Sequence, residues 1–214
     1  MAPLILNLNC DDRFDLRLCL TGQHKEMLDQ VLKIFDITPD YNLNVMQPGQ
    51  TLSDITSSII SAMPKIFDDF KPDIVLVHGD TATTFASSIS AYYHKIKVGH
   101  VEAGLRTGNI YSPWPEEANR KLTGVITNIH FAPTERSKNN LIKEGFKSDD
   151  IFITGNTVID ALLMSKELIL NNMVLKESIE QDFNFLNRNK KLVLITGHRR
   201  ESFGKGFENI CEAI

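Results

Sequence analysis

Cysteine is scarce: Cys10, Cys19 and Cys211 are the 3 in 214 residues, and no two of them are spaced as CxxC. An odd, scattered set argues against both a disulfide framework and a zinc site. No charge of one sign dominates either. With 23 Lys+Arg against 27 Asp+Glu the net charge is −4, and no basic run of five or more is present, which argues against a nucleic-acid or anionic-membrane surface. No apolar stretch approaches the ~20 residues of a membrane-spanning helix. The first apolar run, Ala2 to Leu8, follows no basic segment and leads into Asp11, Asp12 and Arg13, so it does not read as a signal peptide. A cytoplasmic protein is expected, with neither nucleic acid nor membrane as partner. There is no internal repeat, no low-complexity tract and no G-x-S-x-G elbow for a serine hydrolase. What is present is ordinary for a globular chain, 42% hydrophobic and 23% charged, which excludes collagen-like, coiled-coil and disordered classes.

The apolar pattern alternates between two periods. Leu16 to Gly22 alternates and ends in Gly, as a strand does, and His24 to Phe35 spaces Met27, Leu28, Val31, Leu32 and Phe35 as a helix does. A loop follows from Thr38 to Gln50, then a helix from Leu52 to Phe67 that Ser53 could cap. Asp73 to Gly79 is a continuous apolar run closed by Gly, the mark of a strand buried on both faces in a parallel sheet. Further units follow: helix Thr83–Tyr93, strand Lys97–Val101, helix Glu116–Thr127, strand Ile129–Ala132, a Thr134-capped helix to Glu144, strand Ile151–Thr154 and helix Val158–Leu170. Repeated βα units imply an α/β fold with a doubly wound parallel sheet. The expected division is a Rossmann-like domain over 1–170, a linker or crossover over 171–190, and the first strand (Lys191–Thr196) and helix of a second α/β domain over 191–214.

Open parallel sheets bind ligands beyond the carboxyl ends of their strands. Four such places carry polar groups: His78-Gly-Asp80, His100-Val-Glu102-Ala-Gly104, Gly155-Asn156-Thr157 and Gly197-His198-Arg199-Arg200-Glu201. Each could be turn chemistry alone, but together they would face one edge. Asp80 could cap a helix or aim its carboxylate into the crevice, and Glu102 could be a buried partner of Arg106. Glu116 and Glu117 follow Tyr111-Ser-Pro-Trp-Pro115, a stiff segment with the only tryptophan. A helix-dipole role suffices for one of these two, not for both. The pairs His78/Asp80 and His100/Glu102 invite a metal reading, which is the weaker one because no third cluster has metal spacing. The carboxylates suit proton transfer in both directions, and His198 with the arginines suits a negatively charged leaving group. The residues thus point to acid/base chemistry on a phosphorylated or nucleotide-bearing substrate.

At these motifs the chain resembles the non-hydrolysing UDP-N-acetylglucosamine 2-epimerases, through Thr21-Gly-Gln-His24, Val77-His-Gly-Asp-Thr81, Gly99-His-Val-Glu-Ala-Gly-Leu-Arg-Thr-Gly108, Tyr111-Ser-Pro-Trp-Pro-Glu-Glu117, Ile153-Thr-Gly-Asn-Thr157 and Thr196-Gly-His-Arg-Arg-Glu201. The resemblance implies a GT-B-like two-domain fold and interconversion of UDP-GlcNAc and UDP-ManNAc for polysaccharide biosynthesis, with no metal and no cofactor. It implies Asp80, Glu102 and Glu116 as acid/base carboxylates, His198 as a contact to the departing UDP, and Asp80, Glu102, His198 and Arg199 as substrate-binding residues. A homodimer is expected of the full-length family. Relative to that family the chain is expected to be truncated at both ends, without the first strand and most of the second domain, and inactive as a fragment. The rivals are a hydrolysing relative that releases ManNAc and a non-catalytic remnant.

Overall fold

A computed structural model describes residues 1–22, 25–45, 49–187, 189–196 and 204–214. By internal contacts they form two compact units, Met1–Met164 and Ser165–Ile214. The first unit is α/β with parallel sheets. In order it contains α1 (Ala2–Asn9), β1 (Cys19–Leu20), α2 (Lys25–Ile34), β2 (Tyr41–Asn42), α3 (Leu52–Phe70), β3 (Ile74–His78), α4 (Ala82–Tyr93) and β4 (Lys97–Val101). Then come α5 (Glu116–Ile126), β5 (Ile129–Ala132), α6 (Glu135–Lys143), β6 (Ile151–Ile153) and the start of α7 (Thr157–Asn171).

Strands β3, β4, β5 and β6 lie side by side in that order, all parallel, while β1 and β2 form a separate parallel pair. The ends of β3, β4 and β6, which carry three of the four polar motifs, therefore emerge on the same edge, because parallel strands share one direction. The strand expected over Leu16–Gly22 is shorter than its alternation suggested: backbone bonds to the β2 side run only from Leu18 to Thr21. A strand with one partner extends only as far as that partner does.

The core on the α3 side follows helical spacing. Ile55, Ile59, Met63, Ile66 and Phe67 of α3 are buried against Val77, Ala86, Ala91 and Val98. Helix α4 presents Ala and Ser on its buried face, and Ser88 and Ser90 are almost inaccessible. These short side chains let α4 pack against both α3 and α5, and Ser88 satisfies its hydroxyl on the Thr84 carbonyl at 2.7 Å.

The caps correct one expectation. Thr51, not Ser53, starts α3, through a capping box in which Thr51 accepts the Asp54 N–H while the Asp54 carboxylate accepts the Thr51 N–H. Reciprocal satisfaction of two otherwise orphaned N–H groups favours that start. Thr134 caps α6 as expected.

The second unit contains the end of α7, α8 (Met173–Asp182) and α9 (Lys205–Ala213). Within residues 171–190, expected as a linker or crossover, Asn172 caps α8 by accepting the Leu175 N–H at 3.0 Å. The run Lys191–Thr196, expected as a strand, has no regular structure, and its Leu194 is 83% exposed. Apolar sequence makes a strand only where a neighbour supplies the ladder, and no described residue pairs with it.

One position limits how this fold tolerates change. Gly104 has φ +86°, and a Cβ there would lie 2.3 Å from the Ser137 carbonyl oxygen and 3.1 Å from Leu141 Cδ1. Backbone strain and overpacking then act together. Gly104→Ala should lower unfolding stability by at least ~2 kcal/mol, read as a reduced urea midpoint. An unchanged midpoint would show that the α6 contact is not tight.

Candidate active site

Three of the sequence-selected carboxylates come from loops at the carboxyl edge of the sheet. Asp80 follows β3, Glu102 follows β4, and Glu116 opens α5. Each had a plain structural alternative, and the geometry answers each in turn.

Asp80 is not the cap of α4. Thr81 holds that position, accepting the Thr84 N–H, while the Thr84 hydroxyl closes the end of β3 by donating to the His78 carbonyl at 2.6 Å. The Asp80 carboxylate is thereby left to Arg120, whose Nη2 lies 2.7 Å from it. Burial holds the Asp80 carboxyl above its ordinary value; Arg120 draws it down, while Glu102 and Glu116 push it up. Asp80 thus lies within the electrostatic reach of both Glu102 and Glu116.

Glu102 is not paired with Arg106. Arg106 instead forms a two-pronged ion pair with Glu144, at 2.8 and 2.7 Å, and its guanidinium holds the Glu144 carboxyl below the usual range. Glu102 has left-handed backbone at φ +68°, rare for a residue with a side chain. The turn brings its carboxylate to Asn156, whose Nδ2 donates at 2.7 Å, and to His78, whose Nε2 stands 3.9 Å away. Burial holds the His78 imidazole below its ordinary value, and Glu102 pulls it back.

Glu116 and Glu117 separate completely. Glu117 is fully buried and accepts the backbone N–H groups of Thr107 and Gly108 at 3.1 Å, with Arg120 Nη1 at 3.6 Å. It ties the loop before α5 to the helix. Glu116 lies on another side of α5, with Oε2 buried and no hydrogen-bond partner among the described residues. A buried carboxylate oxygen without a partner is open to a hydrogen-bond donor.

The metal alternative finds a poor donor set. His100 Nε2 faces the Gly79 carbonyl at 2.7 Å and Asp80 is engaged by Arg120. Among the described residues no group of three or more His, Cys, Asp or Glu could hold a metal ion. His198 and Arg199, expected near the leaving group, lie outside the described residues, as do Gln23 and His24 of the first motif.

Arg120 was not selected from the sequence, and Glu117 and Asn156 were noted there without an assigned site role. Asn156 stood in the Gly155-Asn156-Thr157 motif, but its partner is 54 positions away. Arg120 sits four residues after Glu116, a spacing that places it on the same helix face, and that was the available signal.

The class this fold and site define is an α/β protein with carboxylates at the carboxyl edge of a parallel sheet, where such sheets bind ligands. The model of the UDP-N-acetylglucosamine 2-epimerase family matches residues 7–214. The chain belongs to that family. It is 58% identical over its whole length to the UDP-N-acetylglucosamine 2-epimerase of Salmonella typhimurium and 57% identical to that of Neisseria meningitidis. The chain spans about 57% of the length of these curated relatives. A crystal structure of the Neisseria meningitidis UDP-GlcNAc 2-epimerase bound to UDP-GlcNAc superposes with TM-score 0.93 at 55% identity, over 100% of this chain and 58% of that one. The Methanocaldococcus jannaschii enzyme in complex with UDP-GlcNAc and UDP gives 0.84 at 36% identity, over 99% of this chain and 57% of that one. The fold class is thus that of GT-B-like epimerases, of which the chain covers about half. No helix among the described residues is long and apolar enough to cross a membrane.

Two buried histidines behind the site set a pH limit on its stability. His100 and His130 are cross-strand neighbours, each 1% exposed, and each Nδ1 lacks a partner among the described residues. Burial, with a smaller contribution from the nearby Arg106 charge, lowers both to about 4. With folded values below the unfolded ~6.5, the unfolded chain takes up protons first, so stability is full above pH ~6.5 and falls towards pH 4. Denaturant titrations should show a loss of about 1 kcal/mol per pH unit for each histidine across that window. A flat profile between pH 6.5 and 4.5 would contradict the neutral pair.

Proposed function

We propose that this chain is part of an enzyme that interconverts UDP-GlcNAc and UDP-ManNAc, with Asp80, Glu102 and Glu116 as its acid/base groups and His198 and Arg199 on the UDP side. The observation that carries the reading is the placement of Asp80 and Glu102 directly after the neighbouring parallel strands β3 and β4, with Glu116 opening the helix that follows β4, combined with family membership. The substrate follows from the relatives that bind UDP-GlcNAc.

The chemistry suits these residues. The C1–O bond breaks and its electron pair leaves with UDP, a carboxylate removes the C2 proton, and a C1=C2 double bond forms in the 2-acetamidoglucal. Protonation of C2 from the other face and return of the UDP oxygen to C1 complete the inversion. A carboxylate also stabilises the positive charge that develops on the ring as C1–O opens. Two-face proton transfer needs more than one carboxyl in different environments. Asp80 is held by Arg120, Glu102 by Asn156, and Glu116 has a buried oxygen with no hydrogen-bond partner among the described residues. The same reading places the enzyme in the cytoplasm as a homodimer, with neither nucleic acid nor membrane as partner.

The test uses the chain completed to the length of its relatives, incubated with UDP-GlcNAc in D₂O. UDP-ManNAc labelled at C2 is expected, because the abstracted proton exchanges with solvent. Unlabelled product would exclude elimination, and free ManNAc with UDP would mark the hydrolysing type. Asp80→Asn, Glu102→Gln and Glu116→Gln should each lower kcat by ~10²-fold or more. Near-normal turnover in all three would remove the carboxylate assignment.

A further inference from the structure

We infer that Asn156 is a positioning residue for Glu102: it caps helix α7 with one end of its amide and, with the other, holds the Glu102 carboxylate at the mouth of the site. The inference rests on the epimerase reading for its kinetic consequence but not for the contact itself.

The amide orientation is determined by its two ends. Oδ1 of Asn156 accepts the Val158 N–H at 3.0 Å, as a helix-start asparagine does. A carbonyl oxygen is required on that side, because Val158 offers a donor. Nδ2 therefore faces the other way, where it donates to Glu102 Oε1 at 2.7 Å. A neutral donor on a carboxylate at that distance is a charge-assisted bond. The two residues follow β6 and β4, which are not adjacent in the sheet since β5 lies between them. The contact thus ties together loops that no backbone ladder joins directly.

Glu102 needs such a tie. Its left-handed backbone at φ +68° is an unfavourable conformation for a residue with a side chain. The other carboxylate oxygen, Oε2, lies 3.9 Å from His78 Nε2, beyond hydrogen-bond distance. Among the described residues this leaves Asn156 as the close donor that sets the rotamer. A carboxylate that moves a proton must be held within a fraction of an ångström of its productive pose. Asn156 supplies that restraint without adding charge.

Capping and positioning can be separated, because Ser and Asp cap helices about as well as Asn. In the completed chain, Asn156→Ser keeps an acceptor for Val158 but is too short to reach Glu102. It is expected to retain the wild-type Tm and KM while kcat falls about 10-fold. Asn156→Asp keeps the cap and sets an anion against Glu102. It should move the acidic limb of the kcat profile to higher pH, which a purely structural role would not do. Wild-type kcat and an unmoved profile in both variants would overturn the inference.

A second measurement is independent of turnover. The Asn156 side-chain amide signals in a ¹⁵N–¹H spectrum should shift in Glu102→Ala, because one of their protons loses its acceptor. Signals unmoved by that substitution would overturn the contact. If the wild-type chain showed no epimerisation, the functional reading would fall, and the amide shift would still decide whether Asn156 holds Glu102.

Discussion

The fully buried Glu117 carboxylate sets the terms for the rest of the site. A carboxylate without solvent must be met by donors on most of its lone pairs or its burial is strongly unfavourable. Glu117 meets this requirement with two backbone N–H groups of the 107–108 loop and with Arg120. Arg120 is itself nearly buried, and its other edge reaches Asp80. One chain of charge therefore runs from the loop before α5, through α5, to the end of β3. It holds the loop, the helix and the first carboxylate in one arrangement. Loss of any member leaves a buried charge unmatched, so these residues are coupled and substitutions among them should not act additively.

The second determinant is backbone conformation where the strands end. Gly79 at φ +72°, Glu102 at φ +68° and Gly104 at φ +86° all occupy the left-handed region. At Gly79 and Gly104 the glycine accommodates a sharp exit from the strand. At Glu102 a residue with a side chain adopts the same conformation, and its carboxylate is directed towards the residue after β6 rather than along its own strand. Such an outlier at a sheet edge persists only where its surroundings over-determine it. Here Asn156 and the packed turn at Gly104 do so.

Much of the fold was legible from periodicity. Strands Lys97–Val101 and Ile129–Ala132 coincide with their apolar runs, and Thr134 caps its helix. These features are local, encoded within a few residues by side-chain period and by hydroxyl-to-backbone bonding. The failures have a common cause. Ser53 was a plausible cap, but Thr51 with Asp54 satisfies two donors where Ser53 would satisfy one. The Lys191–Thr196 run has strand composition, yet a strand is a relation between segments, and no described segment pairs with it. In the candidate site, the carboxylate types and their places at strand ends were legible; the residues that hold them were not.

Glu116 and Glu117 show the division most sharply. The sequence by itself determined that two acids would open α5 after a proline-rich loop, and that Asp80 and Glu102 would follow parallel strands, because turn chemistry and hydrophobic period act over short spans. It could not say which of two adjacent glutamates would be buried. Neighbours on a helix point about 100° apart, and only the position of α5 against the 107–108 loop selects Glu117 for the interior. The partners of the other acids were decided in the same way. Arg120 meets Asp80 from 40 positions away and Asn156 meets Glu102 from 54. Those encounters exist because the parallel sheet delivers distant strand ends to one edge, a consequence of strand order that no local pattern of residues contains.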